Sequence, residues 1–430
     1  MIMHAALIVI FILAYAAIAL EHTLRINKSA SALLAAGLLW TIYSLSPGNI
    51  HLVIEGLNES IVGTAQIVFF LMGAMTIVEV VDAYHGFDVI TSRIKTTKLS
   101  TLLWLVGIVT FFLSSLLDNL TTTIVMVSLT KKLLNRHEDR LFFAGLIVIA
   151  ANAGGAWTPI GDVTTTMLWI GGQITTLNIM KGVFLPSVAC LVVPLVVTSY
   201  HFRGRVVSSP DTPYVKKEDP VSSFEQELML ALGIGILVMV PVFKSITHLP
   251  PFMGMLFGVG ILWLIADLLH RNTTNDEFKH QLSLVAALRR IDMSSIIFFI
   301  GILLAVAVLE HTLILDGLAH WMEKTIGRLD VIVILTGIMS AVIDNVPLVA
   351  ASMGMYNMTT YPPDSFLWEF LAYCAGTGGS ILIIGSAAGV AAMGLEKIHF
   401  FWYAKKIGWL ALLGYFAGIG VYLLQYRIIH

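Results

Sequence analysis

Two Asp-Asn pairs lie in the middle of long apolar stretches, where ionisable side chains are uncommon. "SSLLDNLTTT" (114–123) contains Asp118 and Asn119, and "MSAVIDNVPL" (339–348) repeats the Ser-x-x-x-Asp-Asn pattern with Asp344 and Asn345. A carboxylate beside an amide offers charged and neutral oxygen ligands, so both pairs are candidate cation-binding groups. Asp and Asn are also preferred at helix N-caps, and one side chain can fill both roles.

A glycine-rich motif follows each pair. "NAGGAWTPIGDVTTT" (152–166) carries Asn152, Thr158 and Asp162, and "GTGGSILIIGSAAG" (376–389) carries further polar groups, namely Thr377, Ser380 and Ser386. Glycine and proline disfavour a continuous helix, and an unwound segment inside a membrane frees carbonyl oxygens that can coordinate a small cation. The alternative is a glycine-lined seam between packed helices. The polar neighbours favour the ion site.

Composition predicts a membrane protein. Of 430 residues, 57% are hydrophobic and 12% charged, with a mean hydropathy of +0.86, whereas soluble domains are about 25% charged. The formal charge of −2 gives no information about nucleic-acid binding; there is no basic tail, and we expect no nucleic-acid partner. Cys190 and Cys374 offer neither a disulfide framework nor a metal cluster. The apolar N-terminal segment lacks a basic region and a cleavage site, so we predict a retained first span.

Apolar windows of spanning length predict ten spans. The Asp-Asn stretches, 100–134 and 330–357, are too long for one span and polar at the centre, which predicts two re-entrant hairpins. With the N-terminus outside, this scheme places 20 of the 25 Lys and Arg residues on the inner side, as the positive-inside rule requires.

The fold class that follows is an all-α polytopic membrane protein with two inverted-topology repeats. Each repeat has five spans and one re-entrant hairpin, with broken helices at the site. The predicted division is a scaffold (1–99 and 225–329), a transport domain (100–200 and 330–430) and a cytoplasmic linker (201–224).

Charge indicates the sign of the ligand. No Lys or Arg falls inside a predicted span, whereas Asp118, Asp162 and Asp344 do, with Glu79 deep in the third span. A charged carboxylate facing lipid costs about 2.5–3.5 kcal/mol, so each of these groups is expected to be protonated or to bind a cation. Competition between a proton and a metal ion for one carboxylate is the chemistry of an exchanger, and it needs no resident cofactor. An anion would be repelled.

These groups form two predicted half-sites and one accessory group. The first half-site is Asp118, Asn119, Asn152, Thr158 and Asp162; the second is Asp344, Asn345, Thr377, Ser380 and Ser386. Glu79, Asp82 and His85 are spaced by three in "IVEVVDAYHG" and would line one helix face. They are candidates for proton coupling or pH response, and a charged rim at the membrane interface is the alternative reading.

Five motifs, taken together, resemble those of NhaD-type sodium/proton antiporters of the ion transporter superfamily. They are "FFLMGAMTIVEVVDAYHGF" (69–87), "SSLLDNLTTT" (114–123), "NAGGAWTPIGDVTTTMLW" (152–169), "SAVIDNVPLVAA" (340–351) and "GTGGSILIIGSAAGVAAMG" (376–394). The resemblance implies a non-enzymatic exchanger of Na⁺ or Li⁺ for H⁺ in the cell (inner) membrane. It also implies elevator-type movement and a homodimer in the lipid bilayer.

Two departures bear on this expectation. Carboxylate transporters of the superfamily carry Ser-Asn-Thr at the hairpin tips where this chain has Asp-Asn. Asp162 aligns with Ser386, so the second half has one carboxylate fewer, and we expect the main exchange site in the first half. Two alternatives stay open: a Na⁺-coupled anion symporter on the same fold, and an intramembrane aspartyl protease built on two buried aspartates.

Overall fold

A computed structural model describes residues 2–46, 50–91, 96, 98–206, 221–271 and 281–429. In these ranges the regular structure is helical, apart from an isolated antiparallel bridge between Lys98 and Val206. Residues 207–220 of the predicted linker (201–224) lie outside the described residues.

The first half of the chain forms α1 (Ile2–Ala19), α2 (Glu21–Leu24), α3 (Lys28–Leu45), α4 (Ile50–Ala83), α5 (Gly86–Thr91), α6 (Leu99–Ser114), α7 (Asn119–Leu133), α8 (His137–Gly155), α9 (Val163–Ile170) and α10 (Thr176–His201). The second half forms α11 (Ser223–Thr247), α12 (Pro251–Leu269), α13 (Leu284–Arg290), α14 (Met293–His311), α15 (Ile314–Ile326), α16 (Leu329–Met339), α17 (Asn345–Met355), α18 (Phe366–Gly378), α19 (Ala387–Glu396), α20 (Phe400–Tyr403), a π-helical turn (Ala404–Gly408) and α21 (Trp409–Ile429).

Several helices are long and apolar enough to cross a membrane, which confirms a polytopic membrane protein. Within the described residues six segments qualify: Ile50–Ala83, Thr176–His201, Ser223–Thr247, Pro251–Leu269, Met293–His311 and Phe400–Ile428. The helix α4 begins at Ile50, well before the apolar window at 61–82 that predicts this span. Its 34 residues span about 51 Å at ~1.5 Å per residue, more than the ~30 Å hydrocarbon layer, so it extends beyond the layer.

The sequence also predicts four helix interruptions, and all four are present. The helices α6 and α7 are separated by residues 115–118, and α16 and α17 by residues 340–344. The glycine-rich motifs separate α8 from α9 at residues 156–162 and α18 from α19 at residues 379–386. An Asp-Asn pair or a polar glycine-rich segment therefore lies at each break.

The broken helices pack crosswise between the two halves of the chain. The helix α7 of the first half packs against α19 of the second, and α17 of the second half packs against α9 of the first. The helix α14 contacts α3 and α4 on one side and α17 on another. This interlacing brings polar residues far apart in sequence to one place.

Candidate functional site

Four short helices, α7, α9, α17 and α19, each begin with a predicted site residue as the N-cap. Asp118 accepts hydrogen bonds from the Thr121 backbone N–H at 2.8 Å and the Thr121 hydroxyl at 2.7 Å. The other three caps also accept from backbone N–H groups: Asp162 from Thr164 at 3.3 Å, Asp344 from Val346 at 3.3 Å, and Ser386 from Gly389 at 3.2 Å. We call the break at residues 115–118 the first tip and the break at residues 340–344 the second tip. The predicted capping role of their aspartates, Asp118 and Asp344, is therefore confirmed.

A buried hydrogen-bond network joins the two halves through Asn152. Its amide donates to the hydroxyls of Ser380 at 2.8 Å and Ser386 at 2.9 Å, and its carbonyl oxygen accepts from the Asn119 amide at 2.9 Å. All four residues are buried. The two predicted half-sites are therefore in contact, because Asn152 of the first half bonds to two residues of the second.

A second contact crosses between the halves at Asp162. The Asn345 amide donates to Asp162 Oδ2 at 3.4 Å, and Asp162 is 2% exposed. Gly376 occupies the place in the second motif that Asn152 has in the first, and a Cβ atom there would lie 3.5 Å from Asp162 Oδ2. The glycine therefore leaves room beside this carboxylate.

Two of the predicted ligands donate their hydroxyl protons to backbone carbonyls. The Thr158 hydroxyl donates to the Ser115 carbonyl at 2.6 Å and so ties the glycine-rich motif to the first tip. The Thr377 hydroxyl donates to the Tyr373 carbonyl of its own helix at 2.6 Å. In this arrangement the two hydroxyls stabilise the backbone around the network.

Glycines let the broken helices approach the tips in the same way in both halves. A side chain at Gly154 would overlap the Phe111 carbonyl, and one at Gly378 would overlap the Gly337 carbonyl. Gly161 lies against the Ser114 carbonyl, as Gly385 does against Ser340; a Cβ would lie 2.6 Å from each carbonyl oxygen. The alternative reading of the glycines as packing residues is therefore correct for these positions, and it is compatible with an ion site.

A small cavity of about 50 Å³ lies beside the first tip. Its lining includes Asp118 and Asn119, with Val78 of α4, Met255 of α12 and Phe299 of α14. A cavity holds a water molecule when it offers roughly 10–15 Å³ of such volume and polar partners, so this space has room for a few waters beside Asp118 and Asn119. The polar residues of this otherwise apolar lining are Asp118, Asn119, Thr166 and Ser295.

The three tip and motif aspartates differ in charge pairing. Among the described residues, Asp118 and Asp162 form no ion pair. Asp344, in contrast, pairs with the Lys28 ammonium at 2.8 Å. The expectation that all three lack a basic partner is therefore wrong for Asp344. The sequence does not indicate this ion pair, because Lys28 lies at a predicted span end, where basic residues are ordinary.

The predicted accessory group of Glu79, Asp82 and His85 does not lie on a single helix, because α4 ends before His85. Glu79 is half-buried and Asp82 exposed on this helix, which ends at Ala83. His85 lies beyond the helix in the left-handed region, with φ of 54°, and its Nδ1 is 3.8 Å from the Asp88 carboxylate. The prediction of one helix face therefore fails for His85. Glu79 lies within electrostatic range of Asp82 and Asp118.

Carboxylates at the breaks of a polytopic helical bundle, with Asp162 buried, are typical of a membrane transporter. A family model described as "Citrate transporter" matches residues 8–376 of the chain. The chain is 49% identical over 425 residues to "Sodium/proton antiporter 1" of Arabidopsis thaliana, covering 98% of this chain and 73% of the relative.

Two further relatives give the same result. "Sodium/proton antiporter 2" of Arabidopsis thaliana is 46% identical over 416 residues, with 96% of this chain and 98% of the relative covered. "Na(+)/H(+) antiporter NhaD" of Vibrio cholerae is 31% identical over 452 residues, with 97% and 91% covered. The chain therefore belongs to the citrate transporter family, and its predicted kinship with the NhaD-type antiporters within that family is confirmed. This kinship sets aside the aspartyl protease alternative.

Proposed function

We propose that the protein exchanges Na⁺, and Li⁺, for H⁺ across the cell (inner) membrane, with its N-terminus outside. The observation that carries the proposal is the pair of carboxylates, Asp118 and Asp162, which lie at helix breaks and form no ion pair among the described residues. The names of the relatives, sodium/proton antiporters of a plant and of bacteria, support the same exchange.

The ligands of the transported ion would be oxygen atoms of the hydrogen-bond network. The protein would need no resident cofactor. A buried carboxylate favours a proton because burial disfavours its charged form, whereas a metal ion beside it favours that form. Binding of Na⁺ and binding of H⁺ at Asp162 and Asp118 would therefore be mutually exclusive. Helix N-termini carry a partial positive charge, and the capping carboxylates offset it where a cation would bind.

The movement that carries the ion would be of elevator type, within a homodimer. In this scheme the transport domain (100–200 and 330–430) moves against the scaffold (1–99 and 225–329), and each contains parts of both inverted repeats. The matching glycine contacts of Gly161 with Ser114 and of Gly385 with Ser340 support an internal repeat that includes both hairpins. Glu79 would relay protons towards Asp118 or tune its charge.

A Na⁺-coupled anion symporter on the same fold is the second candidate. It is favoured by the description of the family as citrate transporters and by the Lys28 ammonium at the second tip. Two carboxylates at the first tip and its motif, which form no ion pair within the described ranges, count against it, because a di- or tricarboxylate would meet like charges there.

Everted vesicles that contain the protein test the proposal. Addition of Na⁺ or Li⁺ should release protons accumulated inside, as followed with a pH-sensitive dye, and Asp118→Asn and Asp162→Asn should each abolish this response. Asp316→Asn is the matched control, because this aspartate is exposed on α15. Unchanged exchange in Asp118→Asn and Asp162→Asn at normal expression contradicts the assignment, and Na⁺-driven uptake of labelled citrate without proton release favours the symporter.

A further inference from the structure

The two Asp-Asn tips, which are alike in sequence, are neutralised differently. At the first tip the Asp118 carboxylate accepts hydrogen bonds from the backbone and hydroxyl of Thr121, and it forms no ion pair among the described residues. At the second tip Asp344 Oδ1 accepts from the Val346 N–H, and Asp344 Oδ2 accepts from the Lys28 ammonium at 2.8 Å. The side chains of Lys28 and Asp344 are 24% and 15% exposed. A protein cation therefore contacts the carboxylate of the second tip directly.

The Lys28 side chain is presented by a well-fixed piece of backbone at the start of α3. On either side of it, the Asn27 amide donates to the Ser294 hydroxyl at 3.1 Å and the Ser29 hydroxyl donates to the Ser294 carbonyl at 2.6 Å. The Lys28 N–H donates to the Glu21 carboxylate at 3.1 Å. This end of α3 is thus anchored to α14.

The surroundings of the ammonium favour a fixed positive charge. Lys28 Nζ lies 4.4 Å from the centre of the Phe298 ring, a cation–π contact, and the carboxylates of Glu21 and Asp292 are within electrostatic range. Tyr15 also lies within electrostatic range of Asp344. Removal of one partner from a largely buried pair leaves an uncompensated charge, which the site must then neutralise in another way.

We propose that Lys28 is a tethered cation that occupies the ion position of Asp344, so that the second tip binds no transported ion while the pair is intact. This inference rests on the proposed cation exchange and adds to it which tip binds. Lys28 acts by its permanent charge and its place, not by gaining or losing a proton. The transported ion is thereby directed to the first tip, whose carboxylate has no such partner among the described residues.

The consequence is an additional ion in proteins that lack the ammonium. Lys28→Met keeps the length of the side chain and an apolar contact with Phe298 but removes the charge, so Asp344 should recruit a metal ion. The test is equilibrium binding of radioactive Na⁺ to the purified full-length protein at alkaline pH, where protons compete least. We expect the Na⁺ bound per chain to roughly double relative to the unsubstituted protein.

Two further variants control this measurement. Lys28→Gln also removes the charge but keeps a hydrogen-bond donor for Asp344, so it supplies the same test if Lys28→Met fails to fold. The double variant Lys28→Met/Asp344→Asn removes both charges and should return the bound Na⁺ to the original value. Lys28→Arg keeps the positive charge and should also bind the original amount.

The outcome separates this inference from the proposed function. If folded Lys28→Met or Lys28→Gln binds the same Na⁺ per chain as the unsubstituted protein, the tethered-cation role is refuted, even where Na⁺/H⁺ exchange is observed. If vesicles show no Na⁺/H⁺ exchange, the proposed function fails. An increase in bound Na⁺ that persists in the double variant also refutes the role, because the extra ion would then not be held by Asp344.

Discussion

Replacement of Asn152 by alanine tests whether the network between the two halves holds the site together. The substitution removes three hydrogen bonds, to Ser380, Ser386 and Asn119, at a residue with no exposed surface. A hydrogen bond contributes about 0.5–1.5 kcal/mol net, so the three together contribute about 1.5–4.5 kcal/mol. Asn152→Ala should therefore lower the free energy of unfolding by that amount and weaken Na⁺-dependent proton release, because the partners lose their fixed positions.

The assay is thermal unfolding in detergent combined with dye-based exchange in vesicles. Ser187→Ala is the matched control: this residue is also fully buried, but its hydroxyl has no hydrogen-bond partner among the described residues. The control should lose no stability, because no hydrogen bond is removed. If Asn152→Ala unfolds at the same temperature as Ser187→Ala and exchanges at the unsubstituted rate, the network does not position the site and the reasoning fails.

Two glycine substitutions separate packing from ion binding. Gly154→Ala would place a methyl group against the Phe111 carbonyl and should cost about 1–3 kcal/mol of stability. Gly63→Ala is the control and should be tolerated, because nothing lies within 4 Å of its added Cβ. Equal melting temperatures of the two variants would contradict the close approach at Gly154. Gly376→Ala places its methyl group 3.3 Å from Ala156 Cβ and 3.5 Å from Asp162 Oδ2, a tight contact without overlap. The protein should fold with a small loss of stability yet bind Na⁺ more weakly, and an unchanged Na⁺ affinity would show that no ion uses this space.

Local features of the site could be predicted from the sequence because they depend on residues that are near in the chain. Glycine and proline interrupt helices through their own backbone preferences, and so the breaks before Asp162 and Ser386 follow from the motifs themselves. The capping by Asp118 likewise involves a backbone N–H three residues away. Hydropathy in turn predicts a polytopic membrane protein, since lipid exposure requires apolar side chains along whole helices.

Pairings between distant residues could not be predicted in this way. Charge counting placed Lys28 at a span end and left Asp344 without a basic partner, although the two side chains meet across 316 positions of sequence. The expected helix face of Glu79, Asp82 and His85 failed because α4 ends at Ala83, before the histidine.

The sequence by itself determined that carboxylates and amides lie at helix breaks inside a membrane protein, because composition and local backbone preference suffice for that. Only the tertiary structure decided that Asn152 bonds Ser386 of the other half and that Lys28 pairs with Asp344 and not with Asp118. The physical reason is that hydrogen bonds and ion pairs act over a few ångströms in space. Which groups come that close is set by the packing of α7 on α19 and of α3 on α14, not by their order in the chain.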